Sequence, residues 1–126
     1  MPRPPDPRAA LGRRGERAAA WFLRLRGYRI LGRNLRFPHG EIDIVARRGG
    51  IVAFVEVRTR ATADPVPPEQ TVTPPKQRHL RSAARQYLAR NPDPALSYRF
   101  DIIGVVCPAR GKAQITHFPD AFRMDD

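Results

Sequence analysis

Two short acidic segments lie close together near the middle of the chain. Asp43 closes the segment GEID at 40–43, and Glu56 lies in the segment FVEVR at 54–58, which ends in Arg58. Carboxylate oxygens are the ligands that Mg²⁺ and Mn²⁺ prefer, and a neighbouring cation stabilises charge that develops on a phosphate. These residues therefore suit metal-assisted hydrolysis at a phosphate, although plain salt bridges would use the same residue types.

The residues between these segments predict how the two carboxylates are oriented. Residues 40–46 and 51–60 both have the pattern of a strand. The Gly-Gly pair at 49–50 is typical of a two-residue hairpin loop, because glycine adopts positive φ at little cost. In the register that this loop sets, Asp43 lies directly opposite Glu56 on the neighbouring strand.

Two directly opposed carboxylates repel each other. Their Cβ atoms are roughly 4.5–5.5 Å apart in such a pair, and the repulsion is relieved by a proton or a cation. A divalent ion that bridges Asp43 and Glu56 is the economical explanation, and the same register places Glu41 opposite Arg58. A different loop length would slide the carboxylates apart, and arginine neighbours would neutralise them without a metal.

The net charge of the chain favours a polyanionic partner. Lys and Arg total 23 against 12 acidic residues, a net charge of +11, and the ten Arg of residues 1–36 face only Asp6 and Glu16, a net +8. Nucleic acid is the commonest partner of such a surface, although a basic surface also serves solubility alone. We assign nucleic-acid contacts to Arg13, Arg14, Arg17, Arg33, Arg36 and Arg60.

Length and cysteine content limit the class of protein further. A chain of 126 residues and 14.2 kDa has the length of one domain. It contains no run of 18 apolar residues, so the sequence predicts no membrane span. The single cysteine, Cys107, excludes a disulfide framework and favours a reducing compartment, which we take to be the cytoplasm.

Apolar periodicity predicts two helices, at about 9–26 and 74–90, after a flexible proline-rich tail at 1–8. The predicted apolar face of the first helix carries Leu11, Gly15, Ala18, Phe22 and Leu25. Thr73 is a good N-cap for the second helix. Lys76, one of only two lysines, continues the apolar stripe of this helix into its first turn. An amine that points inward there indicates an anionic neighbour, whereas a lysine on the surface would indicate nothing.

The remaining segments are predicted to complete a sheet. Ile42, Ile44 and Ala46 are expected on one face of the first hairpin strand, and further strands are expected at 28–35, 99–107 and 113–118. Asp101 and His117 are polar positions within these strands, and we interpret both as structural. Residues 61–73 are rich in proline and contain no glycine, which predicts a mobile loop.

The order and spacing of six segments resemble a known family. They are GRRGERAAAWFLRLRGYRILGRNLR (12–36), GEIDIVA (40–46), FVEVRTR (54–60), KQRHLRSAARQYL (76–88), RFDIIGV (99–105) and HFPDAF (117–122). Together they resemble the PD-(D/E)xK nucleases of restriction-endonuclease-like folds. They are most similar to the YraN-type family of small bacterial endonuclease-like proteins, and the resemblance covers most of the chain after residue 11.

This resemblance implies a fold of the α/β class. It implies a single restriction-endonuclease-like domain over 9–126, with a central mixed sheet that includes a hairpin at about 40–60. The two long helices would pack against this sheet.

The resemblance also implies a Mg²⁺- or Mn²⁺-dependent nuclease that acts on nucleic acid, most simply DNA, and that selects particular DNA structures. Asp43 and Glu56 would hold the metal, and Glu16 would approach it from the first helix. The lysine of the family motif is Arg58 here. Because arginine stays protonated, it cannot act as a base, and Lys76 is the candidate to reach the same site.

Two alternatives remain open at this point. The first is a nucleic-acid-binding module that keeps the nuclease fold but cleaves little, because Arg58 replaces the usual lysine. The second is a scaffold for a protein partner, which the proline-rich tail and loop support.

Overall fold

Strands that are neighbours along the chain are also neighbours in the sheet. The computed structural model describes residues 2, 4, 6–63 and 66–124. Its elements, in order, are α1 (Pro7–Leu25), β1 (Arg29–Phe37), β2 (Gly40–Arg48), β3 (Ile51–Arg60), a 3₁₀ helix (Pro68–Thr71), α2 (Pro74–Arg90), β4 (Ser97–Val106) and β5 (Gln114–Phe122). The strands form a five-stranded sheet in the order β1-β2-β3-β4-β5.

One pair of strands makes the sheet mixed. β3 and β4 are parallel, whereas the other neighbouring pairs are antiparallel. Parallel neighbours need a long crossover, and α2 provides it. The structure is thus a single small α/β domain with two helices, which confirms the predicted fold class and is consistent with a restriction-endonuclease-like fold.

Each helix covers one face of the sheet. Ala19, Ala20 and Leu23 of α1 are fully buried against a cluster that includes Ile44 and Val55. On the opposite face, α2 buries a second cluster, which contains Ile42, Phe54, Leu80, Ala83 and Phe100. The sheet therefore separates two apolar cores.

Helix α1 begins earlier and exposes more than the sequence predicted. The Asp6 side chain caps it by accepting a hydrogen bond from the Arg8 amide at 3.0 Å, and Pro7 occupies the first turn. Two residues of the predicted tail therefore lie in the helix, while Met1, Arg3 and Pro5 lie outside the described residues. Leu25 was expected on the apolar face but is 84% exposed. It lies two residues after buried Leu23, which places it on the opposite side of an α-helix.

The alternation of β2 breaks at Asp43. Ile44 belongs to the core under α1, but Ile42 belongs to the core under α2, so the prediction that they share a face is wrong. In β1, Asn34 has a φ of 52° between the positions that pair with Ile44 and Ile42. A left-handed residue interrupts regular strand geometry, and Asp43 lies opposite this irregularity.

The segment before α2 is more ordered than predicted. Residues 68–71 of the expected mobile loop form the 3₁₀ helix, while Asp64 and Pro65 lie outside the described residues. A Cβ atom on Gly104 of β4 would be 2.5 Å from the Pro68 side chain, so the 3₁₀ helix lies closely on the sheet. The Thr73 side chain caps α2 as predicted, accepting from the Lys76 amide at 3.4 Å.

The described helices give no sign of a transmembrane segment. Neither α1 nor α2 combines the length and the apolar character that crossing a bilayer requires.

Candidate active site

The β2–β3 hairpin follows the register that its Gly-Gly loop predicts. Gly49 has a φ of 59°, which glycine adopts readily. From the loop outward, the strands pair in step from Arg48–Ile51 to Ile44–Val55. The local sequence at the loop therefore fixes the relation of the two strands over five paired positions.

The ladder ends one position before the two carboxylates, so the predicted direct pairing of Asp43 with Glu56 does not appear among the β2–β3 pairs. The next position would pair Asp43 with Glu56. There, the Val57 amide donates a hydrogen bond to Oδ2 of Asp43 at 2.9 Å. In an uninterrupted ladder this amide would bond to the carbonyl of Ile42. Asp43 thus replaces a backbone acceptor, and its carboxyl group is close enough to Glu56 for its charge to raise the pKa of that residue.

The predicted pairing of Glu41 with Arg58 does not appear in the ladder. The β2–β3 pairs stop at Ile44–Val55. Glu41 is paired on its other side with Arg36 of β1. The Asp43 side chain explains this, because it accepts the bond from the Val57 amide and so interrupts the ladder before this position.

Glu56 is a buried carboxylate with one unpaired oxygen. It is 4% exposed, although it lies in the middle of β3. Its Oε1 is 3.6 Å from Nζ of Lys76 and 3.7 Å from a terminal nitrogen of Arg58. Its Oε2 is buried without a hydrogen-bond partner among the described residues. A buried polar atom without a partner costs folding free energy, so this oxygen is available to bind a ligand such as a cation.

The site disfavours two negative charges in the absence of a cation. Burial, followed by the charge of Asp43, raises the pKa of Glu56 to about 7. Burial likewise raises the pKa of Asp43, against the opposing effects of the Val57 amide and Lys76. A divalent cation between the two groups would favour their charged forms.

Glu16 approaches this pair from α1. Burial and the charge of Asp43 raise its pKa, while a hydrogen bond to Asn34 lowers it. Glu16, Asp43 and Glu56 line one open cavity of about 390 Å³, together with Arg8 and Gly12 of α1. Across the described residues, however, no three His, Cys, Asp or Glu side chains are grouped closely enough to enclose a metal ion. Glu16 is therefore part of the cavity wall.

Two glycines allow the helices to come this close. A Cβ atom on Gly15 would overlap the side chain of Thr59, so Gly15 lets α1 lie directly on β3. A Cβ atom on Gly40 would overlap the carbonyl oxygen of His79, so Gly40 lets α2 lie on the start of β2. Close packing by these glycines brings Glu16 and Lys76 to the carboxylates.

The two basic groups of the site are held differently. Nε of Arg58 donates to Oγ1 of Thr71 at 2.9 Å, and the Thr71 hydroxyl donates to the Pro68 carbonyl at 2.6 Å. Arg58 is thus tied to the 3₁₀ helix. Lys76 extends from the first turn of α2, and its side chain is 38% exposed. Thr71 was not predicted from the sequence, because it lies in a proline-rich segment without a strand or helix pattern.

The six arginines assigned to nucleic acid occupy different settings. Arg13, Arg14 and Arg17 are exposed on α1, and Arg33 and Arg36 are exposed on the edge strand β1. Arg60 is only partly exposed and donates to the Val66 carbonyl at 2.8 Å. The structure thus places five of the six on accessible surface.

Asp101 forms a separate and fully paired network. Its carboxylate accepts from Arg99 at 2.9 and 3.1 Å, from the Asp120 amide at 3.0 Å, and bonds to His117 at 2.8 Å. Burial alone would raise the pKa of Asp101, but these hydrogen bonds outweigh it and lower the pKa. This contrast with Glu56 supports the structural interpretation of Asp101 and His117.

Comparisons with known proteins place the chain in a family. The model of "Uncharacterised protein family UPF0102" matches residues 15–105. A UPF0102 protein of Syntrophotalea carbinolica is 46% identical over 119 residues, which cover 94% of this chain and 95% of the relative. A UPF0102 protein of Chlorobaculum parvum is 44% identical over 121 residues, covering 92% and 94%.

The match includes Glu16, Asp43, Glu56, Arg58 and Lys76, and it confirms the YraN-type resemblance found in the sequence. On the extent of the match and the identity to its relatives, the chain belongs to the UPF0102 family.

Proposed function

We propose that this protein is a divalent-metal-dependent nuclease that hydrolyses phosphodiester bonds in DNA. The observation that carries the proposal is the unpaired Oε2 of Glu56 beside Asp43. Two raised carboxyl pKa values and an orphaned buried oxygen are what a cation site is expected to have without its cation. The fully paired Asp101 shows that burial alone does not produce this state in the same sheet.

The donor set fits Mg²⁺ or Mn²⁺. Asp43 and Glu56 would hold the ion through carboxylate oxygens, and water or phosphate oxygens would complete the coordination that Mg²⁺ requires. Glu16 would bind one of these waters from the cavity wall. When bound, the ion would lower the pKa of a water and stabilise charge on the phosphate.

The protein groups around the carboxylates have separable roles. Lys76 would place its ammonium beside the reacting phosphate and offset developing negative charge. Arg58 cannot lose its proton, and its bond to Thr71 orients it as a fixed donor beside Glu56. The exposed arginines of α1 and β1 would bind the nucleic-acid backbone.

The test is cleavage of branched, single-stranded and duplex DNA with Mg²⁺, Mn²⁺ or EDTA. We expect metal-dependent products from wild type and none from Asp43→Asn, which removes a charged ligand. Asp120→Asn is the matched control, because Asp120 is an exposed carboxylate outside the cavity. Equal activity of Asp43→Asn and wild type would refute the assigned centre.

One observation favours a second function. The guanidinium of Arg58 stands where the family motif has lysine, and its Nε is already bonded to Thr71. If this leaves the site without a competent base, the protein is a nucleic-acid-binding module with the nuclease fold. DNA binding by a wild type that cleaves none of the substrates under any metal condition would support this function.

A further inference from the structure

A second basic site lies at the far end of the hairpin from the carboxylates. A surface cavity of about 410 Å³ is lined by Gly27, Arg29, Arg47, Arg48 and Gly49. The residues that line it include three arginines and no carboxylate. The site belongs to neither the predicted arginines nor the candidate active site.

Two of these arginines oppose each other directly. Arg29 of β1 and Arg47 of β2 are register partners in the antiparallel ladder. Like charges in this position are destabilising. Just as a cation would relieve the repulsion between Asp43 and Glu56, an anion between Arg29 and Arg47 would relieve theirs.

Other contacts hold two of the three guanidinium groups, those of Arg47 and Arg48, in place. Nε of Arg47 donates to the Gly49 carbonyl at 2.9 Å. Arg48 donates to the Arg26 carbonyl at 3.1 Å, and its guanidinium lies 4.5 Å from the centre of the Tyr28 ring. Groups ordered before binding lose less entropy when they bind a ligand. Arginine also matches the geometry of phosphate with paired donors.

The position of the cluster along β2 sets its distance from the active site. Arg47 lies four residues after Asp43, which is about 13 Å along a strand. Exposed Arg33 lies on the edge strand β1 between the level of Asp43 and Arg29, whereas exposed Arg36 pairs with Glu41 on the other side of Asp43. Phosphates on one DNA strand are about 3.4 Å apart along the helix axis. For DNA whose axis lies along β2, this distance corresponds to about four base pairs from a phosphate at the carboxylates.

We propose that Arg29, Arg47 and Arg48 bind a second backbone phosphate of the nucleic acid, about four base pairs from the phosphate at Asp43 and Glu56. This inference rests on the proposed function, since the spacing is counted from the cleaved bond. Its consequence is a minimum length. DNA that extends fewer than about four base pairs on the relevant side of the active site reaches the carboxylates but not this cluster.

The test measures binding separately from cleavage. Wild type and an Arg29→Gln/Arg47→Gln variant are titrated by fluorescence anisotropy with duplexes of graded length, in EDTA and at several salt concentrations. Arg85→Gln, an exposed arginine on α2, is the matched control. We expect the double variant to bind long duplexes several-fold more weakly, with a log-log salt slope smaller by about two. On the shortest duplexes it should equal wild type.

The single substitution Arg29→Gln is the control for misfolding of the double variant. Arg29 is exposed, and its loss leaves the Arg47–Gly49 contact in place. This substitution should reduce the salt slope by about one. If the variants bind every duplex with the affinity and salt slope of wild type, this inference is wrong. Metal-dependent cleavage by wild type would in that case still support the nuclease proposal. Conversely, a length-dependent binding defect with no cleavage would support the cluster and refute the nuclease.

A lipid partner is the competing outcome. Wild type and the double variant are also sedimented with phosphatidylserine–phosphatidylcholine vesicles. Vesicle binding that depends on Arg29 and Arg47, with DNA binding unaffected, would assign the cluster to an anionic membrane surface and overturn the inference.

Discussion

Nζ of Lys76 lies 3.6 Å from Oε1 of Glu56, although the two residues belong to a helix and a strand separated by the loop before α2. The contact depends on Gly40, which lets α2 lie against the start of β2. The ammonium group is thus brought to the buried carboxylate by packing between elements. From the Glu-x-basic motif alone, Arg58 would be the cation expected to contact the Glu56 carboxylate.

The first prediction separates Lys76 from Arg58. Lys76→Ala should abolish metal-dependent cleavage, with a loss of at least about 100-fold, because it removes the ammonium that lies 3.6 Å from Glu56 and would offset charge on the phosphate. Arg58→Lys should change the rate of cleavage little, since the hydrogen bond to Thr71 fixes the Arg58 guanidinium and leaves the role beside the phosphate to Lys76. Single-turnover cleavage of a labelled duplex measures both. Lys112→Ala removes the only other lysine and should behave as wild type.

The opposite ranking would reassign the site. If Arg58→Lys raises the rate of cleavage and Lys76→Ala leaves it unchanged, then the size and fixed charge of Arg58 limit the reaction. The catalytic cation then belongs to position 58, where the family motif has lysine.

The second prediction concerns pH. Because the pKa of Glu56 is raised from its ordinary value to about 7 in the folded protein, the folded state binds more protons than the unfolded state between about pH 4.5 and 7. The metal-free protein should therefore lose stability as pH rises through this window. The loss should be on the order of 2–3 kcal/mol.

Glu56→Gln isolates this effect from other titrating groups. The difference in free energy of unfolding between wild type and Glu56→Gln, measured by urea denaturation in EDTA, should shift in favour of the variant from pH 4.5 to 7. Saturating Mg²⁺ should reverse the trend for wild type alone, because the metal binds the deprotonated carboxylates. A pH-independent difference would show that Glu56 titrates at its ordinary pKa.

The sequence predicted local features of this site better than it predicted tertiary ones. The Gly-Gly loop set the β2–β3 register because turn geometry depends on the loop residues themselves. The switch of Ile42 to the opposite face could not be predicted, since it accompanies the left-handed conformation of Asn34 on another strand.

Two other features could not be predicted from the sequence, because they also depend on contacts between separate segments of the chain. The hydrogen bond between Thr71 and Arg58 joins segments with no shared pattern. The arginine pair Arg29–Arg47 depends on the β1–β2 register, in which a shift between Ile30 and Gly32 intervenes. A one-residue shift of this kind changes every pairing beyond it.

The third prediction tests the contact between α1 and β3. Gly15→Ala should destabilise the protein by roughly 1–3 kcal/mol, because the new methyl group overlaps the Thr59 side chain and must displace helix or strand. Gly12→Ala is the matched control one turn earlier. A Cβ atom there meets nothing within 4 Å, so the substitution should stabilise the helix by about 0.5–1 kcal/mol. Thermal and urea unfolding of both variants measure the difference.

The Gly15 variant also affects the site. Displacing α1 should move Glu16 away from Asp43, so metal-dependent cleavage should fall more than the loss of stability explains. Activity at a temperature where both variants are fully folded checks this. If Gly15→Ala is as stable and active as Gly12→Ala, the close approach of α1 to β3 does not position the cavity wall.

The last prediction concerns how DNA is bound. The exposed arginines of α1 and β1 contact a backbone that is the same at every base pair, so affinity should be nearly independent of sequence. It should fall steeply with salt, because each phosphate contact releases counterions. Both properties can be measured by anisotropy titrations with two unrelated duplexes at salt concentrations between about 50 and 200 mM.

Variants of the basic surface and of the metal site test the same mode of binding. Arg33→Gln and Arg36→Gln should each lower the salt slope by about one for both duplexes alike. Asp43→Asn should leave DNA affinity equal or slightly higher, since it removes a negative charge near the bound phosphate. Salt-insensitive binding, or none at low ionic strength, would contradict any role in nucleic-acid binding.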